Sequence, residues 1–229
     1  MNSANSQVNS ATFSIETFHA ICDELVATDT ELQAIVSKHG YPPMWTRANT
    51  FETLVHVILE QQVSLASALA ALKKLQEKTD GITPEAILAL TNDELCACYV
   101  SRQKSGYIKG LAAALETKTL ELDKLEKQSN DDIRNELTKL KGIGNWTVDV
   151  YLMFVLQRAD IFPIGDLAAV NAVKRVKALP KEATREVVLA IAAHWSPYRT
   201  VACMILWHYY LSPMGNKELT VKKTNTAIN

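Results

Sequence analysis

Apolar residues recur every three or four positions along most of this chain, and strand-like alternation is scarce. That period belongs to helices with one face toward a core. It predicts helices over 14–27, 29–39, 50–62, 64–78, 84–90, 92–100, 102–115, 129–140, 145–156, 167–178, 182–194 and 197–211. Their starts carry capping chemistry. Asn49 with Glu52, and Thr91 with Glu94, have the spacing of a capping box. Thr83 precedes Pro84 as a cap precedes a first-turn proline. Ser129 precedes Asp131 and Asp132, whose charges suit a helix N-terminus. Gly40 and Gly81 mark stops. The expectation is an all-α fold of short helices joined by short loops.

Composition adjusts this picture in a few places. A chain of 229 residues, 48% of them hydrophobic, can form one domain or two small lobes. A formal charge of −1 gives no support for a nucleic-acid partner from the whole chain. The distribution is more informative. Residues 1–130 hold 11 basic and 16 acidic side chains, a net of −5; residues 131–229 hold 13 and 9, a net of +4. An anionic ligand should meet the second half. Cys22, Cys96, Cys98 and Cys203 read as reduced thiols, since the Cys96–Cys98 spacing suits neither zinc nor an iron–sulfur run. His19, His39, His56, His194 and His208 form no metal pair. Nothing approaches the roughly 20 apolar residues of a membrane span. The polar start lacks the regions of an export signal, so an intracellular address is expected.

Candidate chemistry concentrates in "LKGIGNWTVDVYLMFVLQRADIFPIGDLAAVNA", residues 140–172. Lys141–Gly142–Ile143–Gly144 is a tight turn between two helices. Glycines permit positive φ and close approach of another backbone. The following helix opens with outward N–H groups, which together with the turn make an anion site suited to phosphate. The alternative is an ordinary helix connection with a glycine C-cap. Asp166, in the loop "FPIGD", reads either as a helix N-cap or as a working carboxylate.

Five segments then carry a resemblance: this hairpin, "DIFPIGDL", "HWSPYRTVACMILWHYY", "FETLVHVILEQQVSLASA" and "SRQKSGYIKGLA". In that arrangement, over about residues 41–211, the chain resembles the helix–hairpin–helix superfamily of DNA glycosylases, and within it the alkylation-repair enzymes of the 3-methyladenine DNA glycosylase II type. The resemblance implies a monofunctional glycosylase that hydrolyses the N-glycosidic bond of alkylated purines, 3-methyladenine and 7-methylguanine, in damaged duplex DNA. It implies Asp166 as the catalytic carboxylate; some relatives have two adjacent aspartates where this chain has Gly165–Asp166. It implies Trp146 and Trp207 as aromatic walls of the base pocket. Val150 replaces an aromatic found in the family, and Tyr151 lies about 100° around the helix from it. Lys141, Gly142 and Gly144 would meet a backbone phosphate, with a monovalent cation at the hairpin carbonyls as an option and no other cofactor or metal. Gln62 would fill the gap left by the flipped base, or else cap the next helix, and Gln61 would be structural. Arg102, Lys104 and Arg199 are candidates for phosphate contacts or inter-helix ion pairs, and Asp149 for a surface or salt-bridge residue. Trp146 stands where bifunctional relatives carry a lysine nucleophile, so no lyase step is expected.

The same resemblance sets expectations for organisation. Residues 50–157 would form a lobe carrying the hairpin, residues 13–49 with 158–214 a second lobe, and the cleft between them the active site. Residues 1–12 and 215–229 would be polar tails. A monomer in the cytoplasm, nucleoid or nucleus is expected. Two other readings remain open: a glycosylase for deaminated or etheno-adducted purines, and a non-catalytic DNA-binding module that keeps the hairpin.

Overall fold

The computed structural model describes residues 11–212. The expected tails lie outside these, apart from residues 11 and 12. The described chain is all-α; its only β pairing is an isolated antiparallel bridge from Thr12 to Arg158. It divides into two compact units, one spanning Thr46–Leu156 and one formed by the described residues up to Trp45 and from Gln157 onward.

The aspartate unit, named for Asp166, begins with α1 (Ile15–Thr28) and α2 (Thr30–His39). Later in the chain it adds α11 (Leu167–Val176), α12 (Arg185–Ala193) and α13 (Arg199–Leu211). The α13 helix is the axis of this unit: every residue from Thr200 to Trp207 is buried. A helix apolar on all sides can only sit inside, and α1, α2 and α11 all pack on it. Asp29 ties the start of α2 to the residues that follow α11 and α12. It caps α2 by accepting from the Leu32 amide, and it accepts from Lys177 Nζ at 2.7 Å and from the buried Trp195 indole at 2.8 Å.

The hairpin unit contains α3 (Phe51–Glu60), α4 (Leu65–Thr79), α5 (Pro84–Ala89), α6 (Asn92–Ala97), α7 (Arg102–Glu116), α8 (Leu122–Leu125), α9 (Asn130–Leu137) and α10 (Asn145–Phe154). Its centre is α3, buried at Phe51, Leu54, Val55 and Val57–Glu60, against which α4, α7 and α10 pack. A buried glutamate at the end of such a helix needs a partner. Glu60 accepts from both terminal guanidinium nitrogens of Arg47, at 2.7 and 3.0 Å.

Most predicted caps are in place. Thr91 and Glu94 form a complete capping box, Thr83 caps α5 ahead of Pro84, and Ser129 caps α9; α4 is capped by Ser64, where Gln62 was the alternative. The Asn49 cap is not. Thr50 caps α3 instead, and Asn49 donates to the Leu122 carbonyl and Glu126 while accepting from the Tyr151 hydroxyl at 2.9 Å. The stop assigned to Gly81 begins one residue earlier, at Asp80 with φ +50. No helix among the described residues is long and apolar enough to cross a membrane.

Candidate active site

The hairpin is built by one helix ending and the next beginning across Gly142 and Gly144. The α9 helix ends at Leu137, and the turn closes through an Ile143 amide bond to the Leu140 carbonyl, 3.1 Å. Ile143 is buried and pins the loop to the unit. The two glycines serve different needs. Gly142 has φ +91, and a Cβ added there would lie 2.0 Å from Cγ of Tyr107. Only glycine meets both the backbone and the ring at that position. Gly144 has φ −103 and would accept a Cβ without contact inside 4 Å. It is the N-cap of α10 with no side chain to satisfy the first turn. The first amides of a helix have no acceptor within it, and this join is exposed at Gly144 and Asn145 with Lys141 beside it. That is the arrangement that receives an anion.

The hairpin is braced from both sides. Arg134 on α9 donates to Asn145 Oδ1 at 3.0 Å and to the buried Asp149 at 2.5 Å, tying both helices together. Burial pushes the Asp149 carboxyl up, and the Arg134 guanidinium offsets part of that. From the other side, Gln61 Nε2 donates to the Gly142 carbonyl at 2.8 Å and to Thr147 Oγ1 at 3.0 Å. The carbonyls of Leu140 and Gly144 accept the Ile143 and Val148 amides. Each carbonyl oxygen has a second lone pair, so the neutral donor set is compatible with a monovalent cation.

The neighbouring positions fall into place around this. Gln62 is exposed with φ +57, one residue beyond Gln61, which ends α3. Ser64 takes the capping role, so Gln62 is not spent as a cap. Trp146 is half-buried in the first turn of α10. Val150 and Tyr151 are both buried, with the Tyr151 hydroxyl committed to Asn49, so Tyr151 does not stand in for the missing aromatic. Arg102 is exposed at the start of α7. Lys104 has turned inward: its ammonium donates to the carbonyls of Leu59 and Gln61, each at 2.7 Å.

In the aspartate unit, Asp166 is both a cap and a fixed carboxylate. Its Oδ1 accepts the Ala169 amide at 2.8 Å as N-cap of α11, and the Trp207 indole N–H at 3.3 Å. Its own amide is held by the Pro163 carbonyl, 2.8 Å. The loop is anchored at its base. Thr200 donates to the Arg158 carbonyl and accepts the Ile161 amide. Arg199 grips buried Asp160 through Nε at 2.6 Å and Nη2 at 2.9 Å. Of the two roles open to Arg199, the geometry fills the ion pair. Leu167, beside Asp166, is 72% exposed; its place in the apolar period of α11 gave no hint of that.

The hairpin unit thus presents an exposed helix start behind a glycine turn and a left-handed turn residue at Gln62, and the aspartate unit a carboxylate held by an indole. The model of the HhH-GPD superfamily of base excision DNA repair proteins matches residues 55–197. The chain belongs to that superfamily. Among its relatives, the Bacillus subtilis protein YfjP is 31% identical over 186 residues, covering 78% of this chain and 65% of that protein. The chain thus spans slightly less than two thirds of that relative. DNA-3-methyladenine glycosylase 1 of Schizosaccharomyces pombe is 31% identical over 161 residues, 69% of this chain and 71% of its own. The solved structure of the S. pombe 3-methyladenine DNA glycosylase Mag1 with abasic DNA superimposes with a TM-score of 0.77 at 27% identity, covering 85% of this chain and 98% of that one.

Proposed function

We propose that this protein is a monofunctional DNA glycosylase that hydrolyses the N-glycosidic bond of alkylated purines, 3-methyladenine and 7-methylguanine, in duplex DNA. The observation that carries it is Asp166, fixed by the Ala169 amide and the Trp207 indole in a chain with relatives named DNA-3-methyladenine glycosylase. Departure of the base builds positive charge on the deoxyribose, and a preorganised carboxylate stabilises that charge and orients water. An N-alkylated purine already carries positive charge and leaves without an added proton. One carboxylate then suffices where a sugar hydrolase uses two.

The remaining roles follow from chemistry. Trp146 and Trp207 offer electron-rich faces to a cationic base, worth roughly 0.5–2 kcal/mol per contact. The first-turn amides after Gly144, with Lys141, hold a backbone phosphate; Arg102 adds a further phosphate contact. A monovalent cation on the hairpin carbonyls would add positive potential at that phosphate. Gln62 fills the gap left by the extruded base. With tryptophan at position 146 there is no amine to form a Schiff base, so the reaction ends at the abasic sugar. The protein acts as a monomer and in the compartment that holds the cell's DNA.

Mass spectrometry of bases released from methylated duplex DNA tests this. Release of 3-methyladenine and 7-methylguanine with the strand left intact is expected. Release of only hypoxanthine or etheno-adenine from a lesion panel would move the substrate class. Duplex binding with no release of any base would leave a non-catalytic module.

A further inference from the structure

Lys104 lies in the first turn of α7, yet its ammonium donates to the carbonyls of Leu59 and Gln61, each at 2.7 Å. Those oxygens are at the C-terminal end of α3, where carbonyls have no donor within the helix and the peptide dipoles favour a cation. Burial holds the Lys104 ammonium below its ordinary value. Immediately beyond, Gln62 adopts φ +57, a left-handed conformation that a residue with a Cβ keeps only when its surroundings impose it. Side-chain packing does not impose it here. Gln62 is exposed and borders an open groove of about 480 Å³, lined also by Val63, Tyr99, Gln103 and Lys104. What holds the turn comes from beneath, through Lys104 and through Gln61, whose side chain is bonded to the Gly142 carbonyl and Thr147.

We propose that Lys104 and Gln61 are positioning residues that lock the Gln62-bearing turn in its left-handed form and tie it to the hairpin, so that Gln62 is preorganised to enter the gap left by an extruded base. The inference rests on the role given to Gln62 above. Lys104 acts through Gln62 and not through a phosphate. Without it the α3 carbonyls turn to water and the turn relaxes. The loss falls on base extrusion, while docking on intact duplex is kept.

Two readouts on the full-length protein separate the possibilities. One is 7-methylguanine release from methylated duplex; the other is the fluorescence of 2-aminopurine placed beside an abasic analogue, which reports insertion. Lys104→Met is expected to lower kcat/KM about tenfold, the scale of a lost hydrogen bond to a charged group. The fluorescence change should weaken alongside. Binding to undamaged duplex should stay within about twofold, with its salt slope unchanged. Lys104→Arg, which still presents two donors, should recover most of the loss, and K104M with Q62A should be no worse than Q62A alone. If K104M does not fold, Gln61→Leu takes its place, with the same non-additivity against Q62A. The proposal is overturned if K104M is fully active, if its effect multiplies with that of Q62A, or if it lowers the salt slope by about one, the mark of a phosphate contact. If the wild type gives the fluorescence change but releases no base, and K104M weakens that change, the positioning role stands and the glycosylase reading fails. If the wild type gives no fluorescence change, the positioning role falls.

Discussion

The hairpin and the Asp166 loop solve one problem in different materials. Around the hairpin the groups proposed to act are backbone amides, and the side chains hold the backbone: Tyr107 against Gly142, Gln61 on its carbonyl, Arg134 across the two helices. At Asp166 the group proposed to act is itself a side chain, held mainly by backbone, through the Ala169 amide and the Pro163 carbonyl, with the Trp207 indole also donating to it. A site made of amides survives changes in side-chain identity wherever the chain path is kept. A site made of one carboxylate has no substitute for that carboxylate. Mutations should therefore separate cleanly into those that damage the fold and those that damage only the reaction.

The largest expected effect falls on the reaction. Asp166→Asn keeps an oxygen to cap α11 and to accept from Trp207, so the melting temperature should move by little. It removes the charge proposed to face the sugar. Base release should drop by a factor on the order of 10²–10³, the cost of deleting one preorganised electrostatic stabiliser. Single-turnover base release with thermal melting checks both halves. Wild-type release by the mutant would end the contrast, since the carboxylate would then be only a cap.

Next come the two glycines of the hairpin, which should behave oppositely. Gly142→Ala forces a methyl into the Tyr107 ring at φ +91 and should cost about 2–3 kcal/mol of stability, the scale of overpacking and backbone strain. Trimming Tyr107 to alanine in the same chain should return the part due to overlap and leave the part due to φ. Gly144→Ala meets nothing, so its stability should stay within about 0.5 kcal/mol. What it should lose is affinity for duplex, because the methyl stands where the proposed phosphate would approach the amides. Denaturant melts and salt-dependent binding isotherms test the pair. Equal destabilisation by both would mean that Gly144 belongs to the fold.

The Arg199–Asp160 pair of the aspartate unit and the Arg134–Asp149 pair of the hairpin unit each set a buried carboxylate against a partly exposed arginine, a matched test. Arg199 grips Asp160 with two nitrogens, while Arg134 meets Asp149 with one and spends another on Asn145. Removing either arginine leaves a buried charge, a loss of roughly 3–5 kcal/mol for a fully enclosed pair. These arginines are about 30% exposed, at 31% and 30%, so water relieves much of it. About 1–2 kcal/mol is expected from Arg199→Met, and somewhat less from Arg134→Met. If Arg199→Met leaves the melting temperature alone and instead flattens the salt dependence of DNA binding, its place is on a phosphate.

The helices were readable because their signals are local. Thr91 and Glu94 are three residues apart and find each other in any context that starts a helix there. Asn49 carries the same local signal and was misread. Its bonds go to Leu122, Glu126 and Tyr151, more than 70 residues away in each case, while Thr50 does the capping. The single turn at Leu122–Leu125 is too short to show a period. At the candidate site the division is the same. The Gly142 turn and the Asp166 cap were legible from their neighbours. The destinations of Lys104, 45 residues from Leu59, and of Arg199, 39 from Asp160, were not, since only the packed helices bring them together.

The smallest expected effect concerns acid. In the aspartate unit, burial alone would raise the Asp29 carboxyl, but the bonds from Lys177, Trp195 and the Leu32 amide outweigh it, and the carboxyl sits below its usual 3.8. Its contribution to stability is therefore present above 3.8 and lost as the pH falls through the lowered value. In the hairpin unit the sign reverses. Burial raises Asp149 beyond what Arg134 offsets, so its contribution is complete below 3.8 and lost as the pH rises through the raised value. As the pH drops past 3.8, the aspartate unit should loosen first. Hydrogen exchange corrected for intrinsic rate should show the Trp195 indole opening before the Ile143 amide of the hairpin. Asp29→Asn should remove that order by weakening the aspartate unit at neutral pH and flattening its acid response. Asp149→Asn should leave the Trp195 profile unchanged and flatten the hairpin's. If the two probes open together in the wild type and neither substitution parts them, the two regions share one electrostatic fate, and the contrast between a backbone-built and a side-chain-built site does not extend to their stability.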